Sequence, residues 1–345
     1  MTRAALALLS LGTAVFIALI AWQGFGAVAG TLAAAGWGLA LVALFHLLPL
    51  VIDAGAIRVL ATRHTTLTDT VFARWAGESV NSLLPAGQLG GPVLMARHLA
   101  QRGMPMPSAA AAVTVSTTMQ AVAQIVFACL GLAAFAAVAA VPARLATPGV
   151  RMAMLIAGVA LGVCVAAFFI AQQRGVFGRV VRAASKVFGK RDGGALAARA
   201  DTIDEHVRSL YLRPGRVAAT FAFSLAGWVV GTGEVWLALR FLGHPVGWLD
   251  ALLLESVGQA IRGAAFAIPG SLGAQEGGYL LLAPLVGLPP ETALALSLAK
   301  RARELALGLP GLAYLHWSER RWRQRRAAAT GPVDDDGSRP RASIL

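Results

Sequence analysis

Charge is scarce in this chain. Of its 345 residues only 14% are Asp, Glu, Lys or Arg, against about 25% in a soluble domain. With 57% hydrophobic residues and a mean hydropathy of +0.66, that deficit excludes an ordinary water-soluble globule. Cysteine is nearly missing too. Cys129 and Cys164 each fall inside an apolar run, where a free thiol acts as a small hydrophobe. No CxxC or CxxxH spacing offers a metal site. Histidine is sparse and scattered, with six in all. There is no GxSxG, no HExxH, no P-loop and no Asp-rich metal motif, and no paired carboxylates stand beside a base. No catalytic residue, metal ligand or cofactor is therefore expected. Nor does any segment alternate as a membrane β-strand would. Helices remain as the way to satisfy the backbone in lipid.

What is present is a series of Ala/Leu/Val/Gly runs near the bilayer-crossing length of about 20 residues. Six qualify as spans: 4–22, 37–57, 108–138, 152–171, 217–241 and 292–317. Arg3 and the small residues at 27–30 give the first run some features of a signal peptide, but the later spans make a retained helix the simpler reading. Two further stretches, 68–102 and 248–288, are apolar but broken near their middles by Gly, Pro and charges. They read either as re-entrant helical hairpins or as pairs of short full spans.

The net charge of +13 resembles that of a nucleic-acid binder, but its placement excludes this. The positive residues collect in the segment 172–216 and in a tail holding Arg320, Arg321, Arg323, Arg325 and Arg326. Both flank spans, as the positive-inside rule requires of cytoplasmic segments. Both termini are then cytoplasmic in a bacterial inner membrane. The uncharged segment 23–36 is an outside loop, and the segment holding Arg58, Arg63 and Arg74 is an inside one. Arg144 and Arg151 fall on the wrong side. Within 172–216, Phe177, Val181, Ala184, Val187 and Phe188 recur at helical spacing, which fits an interfacial helix or a solvated basic linker. The tail 327–345 lacks an apolar face and is expected to be disordered.

The chain also repeats itself. Pro85 lies 18 residues before Gly103 and 20 before Pro105, and Pro269 lies 18 before Gly287 and 20 before Pro289. One offset of 184 relates the two sets and maps the second span onto the fifth. The expected fold is thus an all-α polytopic membrane protein. Its domain, 1–326, holds about six full transmembrane helices and two re-entrant hairpins, in inverted repeats at about 4–138 and 152–317.

The broken stretches carry the polar residues. In the first, Glu78 and Asn81 share a helix face, Pro85 and Gly87 break the helix, and Gln88 is at the tip. Arg97 and His98 lie on the way out. In the second, Glu255, Gln259 and Arg262 share a face, Pro269 and Gly270 end that helix, and Gln275 and Glu276 open the next. The N-terminus of that next helix offers a positive dipole end, suited to a phosphate. The last span carries Lys300, Arg301, Arg303 and Glu304. Facing lipid these would cost roughly 3 kcal/mol each. Pairing of Lys300 and of Arg301 with Glu304 is expected at i, i+4 and i, i+3. Arg303 needs an outside partner: Glu276, Glu255 or Glu234. Asp53 and His46 in the second span fit a proton relay. Three roles stay open for the set: a salt-bridge network that fixes packing, a cavity for a polar or anionic headgroup, or an ion path.

Pro269-Gly-Ser-Leu-Gly-Ala-Gln-Glu-Gly-Gly278, Gly287-Leu-Pro-Pro-Glu291, the final charged helix and Asn81-Ser-Leu-Leu-Pro-Ala-Gly87 together resemble the lysylphosphatidylglycerol synthase transmembrane family, also called flippase-like. The Gln-Glu-Gly-Gly form and Lys300-Arg-Ala-Arg-Glu304 resemble its hopanoid-associated, HpnL-type branch. The resemblance implies a module that translocates or handles a lipid, a hopanoid or a polar-headed phospholipid. In the full synthases an aminoacyltransferase domain follows. This chain is expected to lack it, so the synthase activity is not carried over. Membrane lipids are the expected partners. The alternatives are a scaffold among lipid-biosynthesis proteins or an intramembrane lipid-modifying enzyme.

Overall fold

Alanine-rich, uncharged sequence favours helix wherever proline is missing, and the computed structural model is helical almost throughout the residues it describes. It describes residue 18 and residues 25–62, 64–84, 90–138, 193–265 and 268–329. Among these the helices are α1 Phe25–Ala35, α2 Gly38–Phe45, α3 Leu47–Leu60, α4 Leu67–Leu83, α5 Gly90–Gln101, α6 Met106–Val138, α7 Gly193–Tyr211, α8 Pro214–Phe241, α9 Trp248–Ala264, α10 Ala274–Leu282 and α11 Pro290–Ala329. Short 3-10 turns at Pro269–Ser271 and Ala283–Leu285 flank α10. No strand occurs among the described residues.

Among the described residues three stretches are long and apolar enough to cross a membrane: Gly38–Leu60 (α2 with α3), Met106–Ala134 in α6 and Pro214–Phe241 (α8). They match the expected spans 37–57, 108–138 and 217–241. The span 292–317 lies within α11, a single helix of 40 residues whose middle holds the expected charges. The span 152–171, nearly all of the span 4–22, the apolar face at 177–188 and residues 330–345 lie outside the described residues.

Two segments differ from expectation. Residues 25–35, expected as loop, form α1, which packs on α11 and buries Ala35. Its sequence has no proline and no charge to stop a helix. The described end of the basic segment is also helical: α7 buries Ala200, Val207 and Leu210 and packs on α6 and α8. α11 itself continues to Ala329, two residues past the start assigned to the tail.

Proline sets the interruptions. Pro49 has no N–H to give the carbonyl of Phe45, and the helix loosens there, between α2 and α3, at His46. Leu84 and Ile268, the residues before Pro85 and Pro269, are both extended (φ −103°, ψ 141° and φ −86°, ψ 118°), as crowding by the proline ring dictates. Each broken stretch is thus helix, break, helix: α4 and α5, then α9 and α10. After the second break the chain turns through Gly270 (φ +61°) and Gly273 (φ +79°), a left-handed geometry that glycine adopts without strain.

The first residues of α5 and α10, Gly90 and Ala274, are 184 positions apart, as are those of α6 and α11, Met106 and Pro290. The packing crosses over. α4 packs on α11 while α9 packs on α6, and α3 lies against α8. Close approach needs small residues in all three places. A Cβ on Gly311 would fall 2.0 Å from Ser79 Oγ, one on Gly131 2.0 Å from Ser256 Oγ, and one on Gly227 2.4 Å from Asp53 Oδ1. The outer faces remain apolar: Leu41, Leu44 and Leu48 on α2 and α3 and Leu305 and Leu309 on α11 are each at least 50% exposed. That surface suits lipid and not water.

Candidate functional site

Where the interrupted helices meet, a cavity of about 250 Å³ opens. Its walls come from the α2–α3 junction, α3, α4, α5, α6, α8, α9 and α11. They carry His46, Asp53, Arg74, Glu78, Glu234, Glu255, Arg262, Arg303 and Glu304. Such a concentration of charge inside an apolar bundle survives only if the charges are paired.

The pairing is complete. On one wall Arg74 donates from Nη2 to Asp53 Oδ2 at 2.9 Å and from Nη1 to Gln120 Oε1 at 3.0 Å. Gln120 in turn donates to Asp53 Oδ2 at 2.8 Å, which closes a triangle among α3, α4 and α6. On the opposite wall Arg262 donates to Glu304 Oε1 at 2.5 Å and to Gln275 Oε1 at 3.1 Å. Lys300 pairs with Glu255, and Gln259 donates to the other oxygen of Glu255 at 2.8 Å. Arg303 bridges Glu234 at 3.1 Å and Glu78 at 3.4 Å. His46 stands between the same two acids: Nδ1 is 2.7 Å from Glu234 Oε2 and Nε2 is 2.7 Å from Glu78 Oε1.

Behind the cavity, the second break is fastened by the fully buried Glu276. Its Oε2 accepts from the Gly273 N–H at 2.7 Å, and its Oε1 accepts from Ser297 at 2.8 Å and Arg301 Nε at 3.1 Å. Arg301 also donates to the Gly270 carbonyl at 2.7 Å, one of the groups the break releases. The helix N-terminus that looked open to a phosphate is therefore occupied by the chain's own carboxylate, in a capping arrangement.

Of the residues singled out in the sequence, Glu78, Asn81, Arg262, Arg303 and Glu304 line the cavity. Gln275, Glu276, Lys300 and Arg301 stand behind that wall and hold its members or the break. Pro269 and Gly270 form the 3-10 turn. Pro85, Gly87 and Gln88 lie outside the described residues. Glu234 is the outside partner that Arg303 required. Lys300 does not pair with Glu304 but reaches Glu255 on α9, while Arg301 does approach Glu304, at 3.6 Å. Arg74, assigned to a cytoplasmic loop, is in α4 and faces the cavity. Its spacing to Glu78, an i, i+4 pair at 3.8 Å, was the signal that could have placed it. Among the described residues no group of His, Cys, Asp and Glu side chains is placed to hold a metal ion.

Among the described residues, apolar helices of membrane-crossing length surround a charged, paired centre, the build of a helical membrane protein. Residues 9–311 match the family described as lysylphosphatidylglycerol synthase TM region. The chain belongs to that family, and with it to the lipid-related membrane proteins. No curated protein matches the chain.

Proposed function

We propose that the protein is a lipid flippase-like transporter of the bacterial inner membrane, with both termini cytoplasmic, and not an enzyme. The two broken stretches form the working cavity, related as inverted repeats by the offset of 184. The observation that carries this reading is the cavity itself. A polar chamber of about 250 Å³ lined by paired charges is costly in a membrane protein, and a polar headgroup is what such a chamber can admit while acyl chains stay in lipid. The exchanged packing, α4 on α11 and α9 on α6, supports rocking of one half against the other as the means of alternating exposure. The substrate is then a hopanoid or a polar-headed phospholipid. Because Arg262 and Arg303 are already paired, a headgroup has to exchange for a carboxylate partner and not simply fill a positive site.

Purified protein in liposomes should move a fluorescent phosphatidylglycerol between leaflets faster than protein-free vesicles do, and Glu78→Gln should slow that movement. Rates equal to those of empty vesicles would rule the transporter out. The complete pairing of the charges favours one second reading, a scaffold whose network only fixes helix packing. Under it the cellular role survives Glu78→Gln.

A further inference from the structure

Around the cavity and the second break, six carboxylates meet five fixed cations, each in at least one ion pair. The set is neutral only when His46 carries a proton. Hydrogen bonding requires the same. Both ring nitrogens lie 2.7 Å from carboxylate oxygens, an ionised carboxylate only accepts, and two donating nitrogens make an imidazolium.

Nε2 has a second neighbour, however. Arg303 Nη1, which can only donate, stands 3.0 Å from it. A protonated Nε2 cannot accept from that group, whereas a neutral His46 with its hydrogen on Nδ1 can. The ring therefore has two satisfied arrangements. Charged, it holds Glu78 and Glu234 together. Neutral, it keeps Glu234 through Nδ1, accepts from Arg303 at Nε2 and gives up Glu78. The charged groups around it are Glu78 and Arg74 from α4, Glu234 from α8, Arg303 and Glu304 from α11, and Asp53 from α3. Arg303 is the only cation among them within hydrogen-bonding reach of the ring.

We propose that His46 is a proton-binding site that ties Glu78 to the α2–α3 junction when occupied and frees Glu78 into the cavity when empty. Release breaks the Nε2–H bond, sends the proton to cavity water and leaves the chamber with one uncompensated negative charge. Two features fit the role. Pro49 loosens the helix at the ring's own position. Glu78, at 24% exposure, is the most open carboxylate of the set, where Glu234, Glu255 and Glu304 are each at 4%. In a transporter, that proton would be exchanged against the headgroup; this coupling rests on the function proposed above, but the proton site does not.

The test uses the purified full chain in detergent, with protons as the probe. Between about pH 5 and pH 11, wide enough to span the titration of an imidazole beside charged neighbours, the wild type should bind about one proton more than His46→Gln. Equal uptake overturns the proposal. His46→Gln should also lower the melting temperature by leaving an acid unbalanced, and adding Glu78→Gln should restore most of the loss. A double variant no more stable than the single one overturns the proposal as well. If His46→Gln does not fold, Glu78→Gln alone, which leaves the contact to Glu234, should displace the uptake curve along the pH axis, and an unmoved curve counts against the site. No lipid enters these measurements, so failure of the transport reading and failure of the proton site are separable.

Discussion

Glu78 in the first broken stretch and Glu276 in the second are held in opposite ways. Glu78 faces the cavity and shares its partners: His46 and Arg303 both compete for it and for Glu234. Glu276 is fully buried, and its oxygens are taken by a backbone N–H, a hydroxyl and a guanidinium. Arg262, 184 positions after Glu78, faces the same cavity with the opposite charge and is locked to Glu304 at 2.5 Å. The cavity thus has a side at Glu78 where partners are shared and a side at Arg262 where each charge has its own partner. A carboxylate with interchangeable partners can take part in a cycle, whereas one with saturated partners sets geometry.

The largest effects should come from the side where each charge has its own partner. Lys300→Met would leave Glu255 buried without its cation, and losing one member of a buried pair costs about 3–5 kcal/mol. Thermal unfolding in detergent should show a severely destabilised protein, and adding Glu255→Gln should recover most of the loss. If the double variant stays as unstable as the single one, the pair contributes through packing and not through charge. Next in size is Glu276→Gln, which weakens the cap and the Arg301 contact together for about 1–3 kcal/mol. Glu78→Gln should cost less stability than Glu276→Gln yet slow lipid movement more. The reverse order in both measurements would abolish the distinction between the two walls.

Much of this arrangement was legible in the sequence because its causes are local. Pro85 and Pro269 mark the breaks, and the residue before each is extended as the ring demands. The i, i+4, i+7 spacing of Glu255, Gln259 and Arg262 does put them on one cavity-facing side. Arg303 needed an acid from elsewhere and found Glu234. The rest depends on distance along the chain. His46 is central because of partners 32 and 188 residues away, which no periodicity reveals. The rule for an isolated helix pairs Lys300 with Glu304, but its long stem reaches Glu255 on a neighbouring helix. Arg74 reads as a loop cation because arginine ordinarily marks the cytoplasmic side. α1 is not legible in the sequence because a short uncharged segment looks like a connection until packing on α11 explains it.

The two helix interfaces closed by glycine should respond alike. Gly131→Ala would push on Ser256 of α9, and Gly311→Ala on Ser79 of α4, with the serine Cβ atoms only 2.8 and 3.0 Å away. Overpacking of this kind costs about 1–3 kcal/mol, and melting temperatures of the two variants should fall by similar amounts. A large difference between them would show that the two interfaces, though built the same way, are not equally rigid.

The smallest effect is expected at the end of the first stretch, where Arg97 on α5 donates to both oxygens of Glu319 on α11, at 2.6 and 2.8 Å, and Gln101 donates at 2.5 Å. The second stretch has nothing comparable: at the position matching Arg97 stands Leu281, 73% exposed. Arg97 is itself 44% exposed, so solvent screens the pair and its contribution should stay below about 1 kcal/mol. The hydrogen bonds from Arg97 hold the Glu319 carboxyl below the usual carboxylate range. A folded-state value below the unfolded one stabilises the protein at neutral pH, and that gain fades as acid protonates Glu319, below about pH 4. Glu319→Gln should therefore lower the melting temperature slightly at pH 7 and leave it unchanged under acid, with the gap at pH 7 shrinking as salt is added. If α5 is a moving wall, the same variant should also alter the rate of lipid movement while Leu281→Ala on the fixed side does not. Equal effects from the two would mean that the clasp at Glu319 is only surface chemistry.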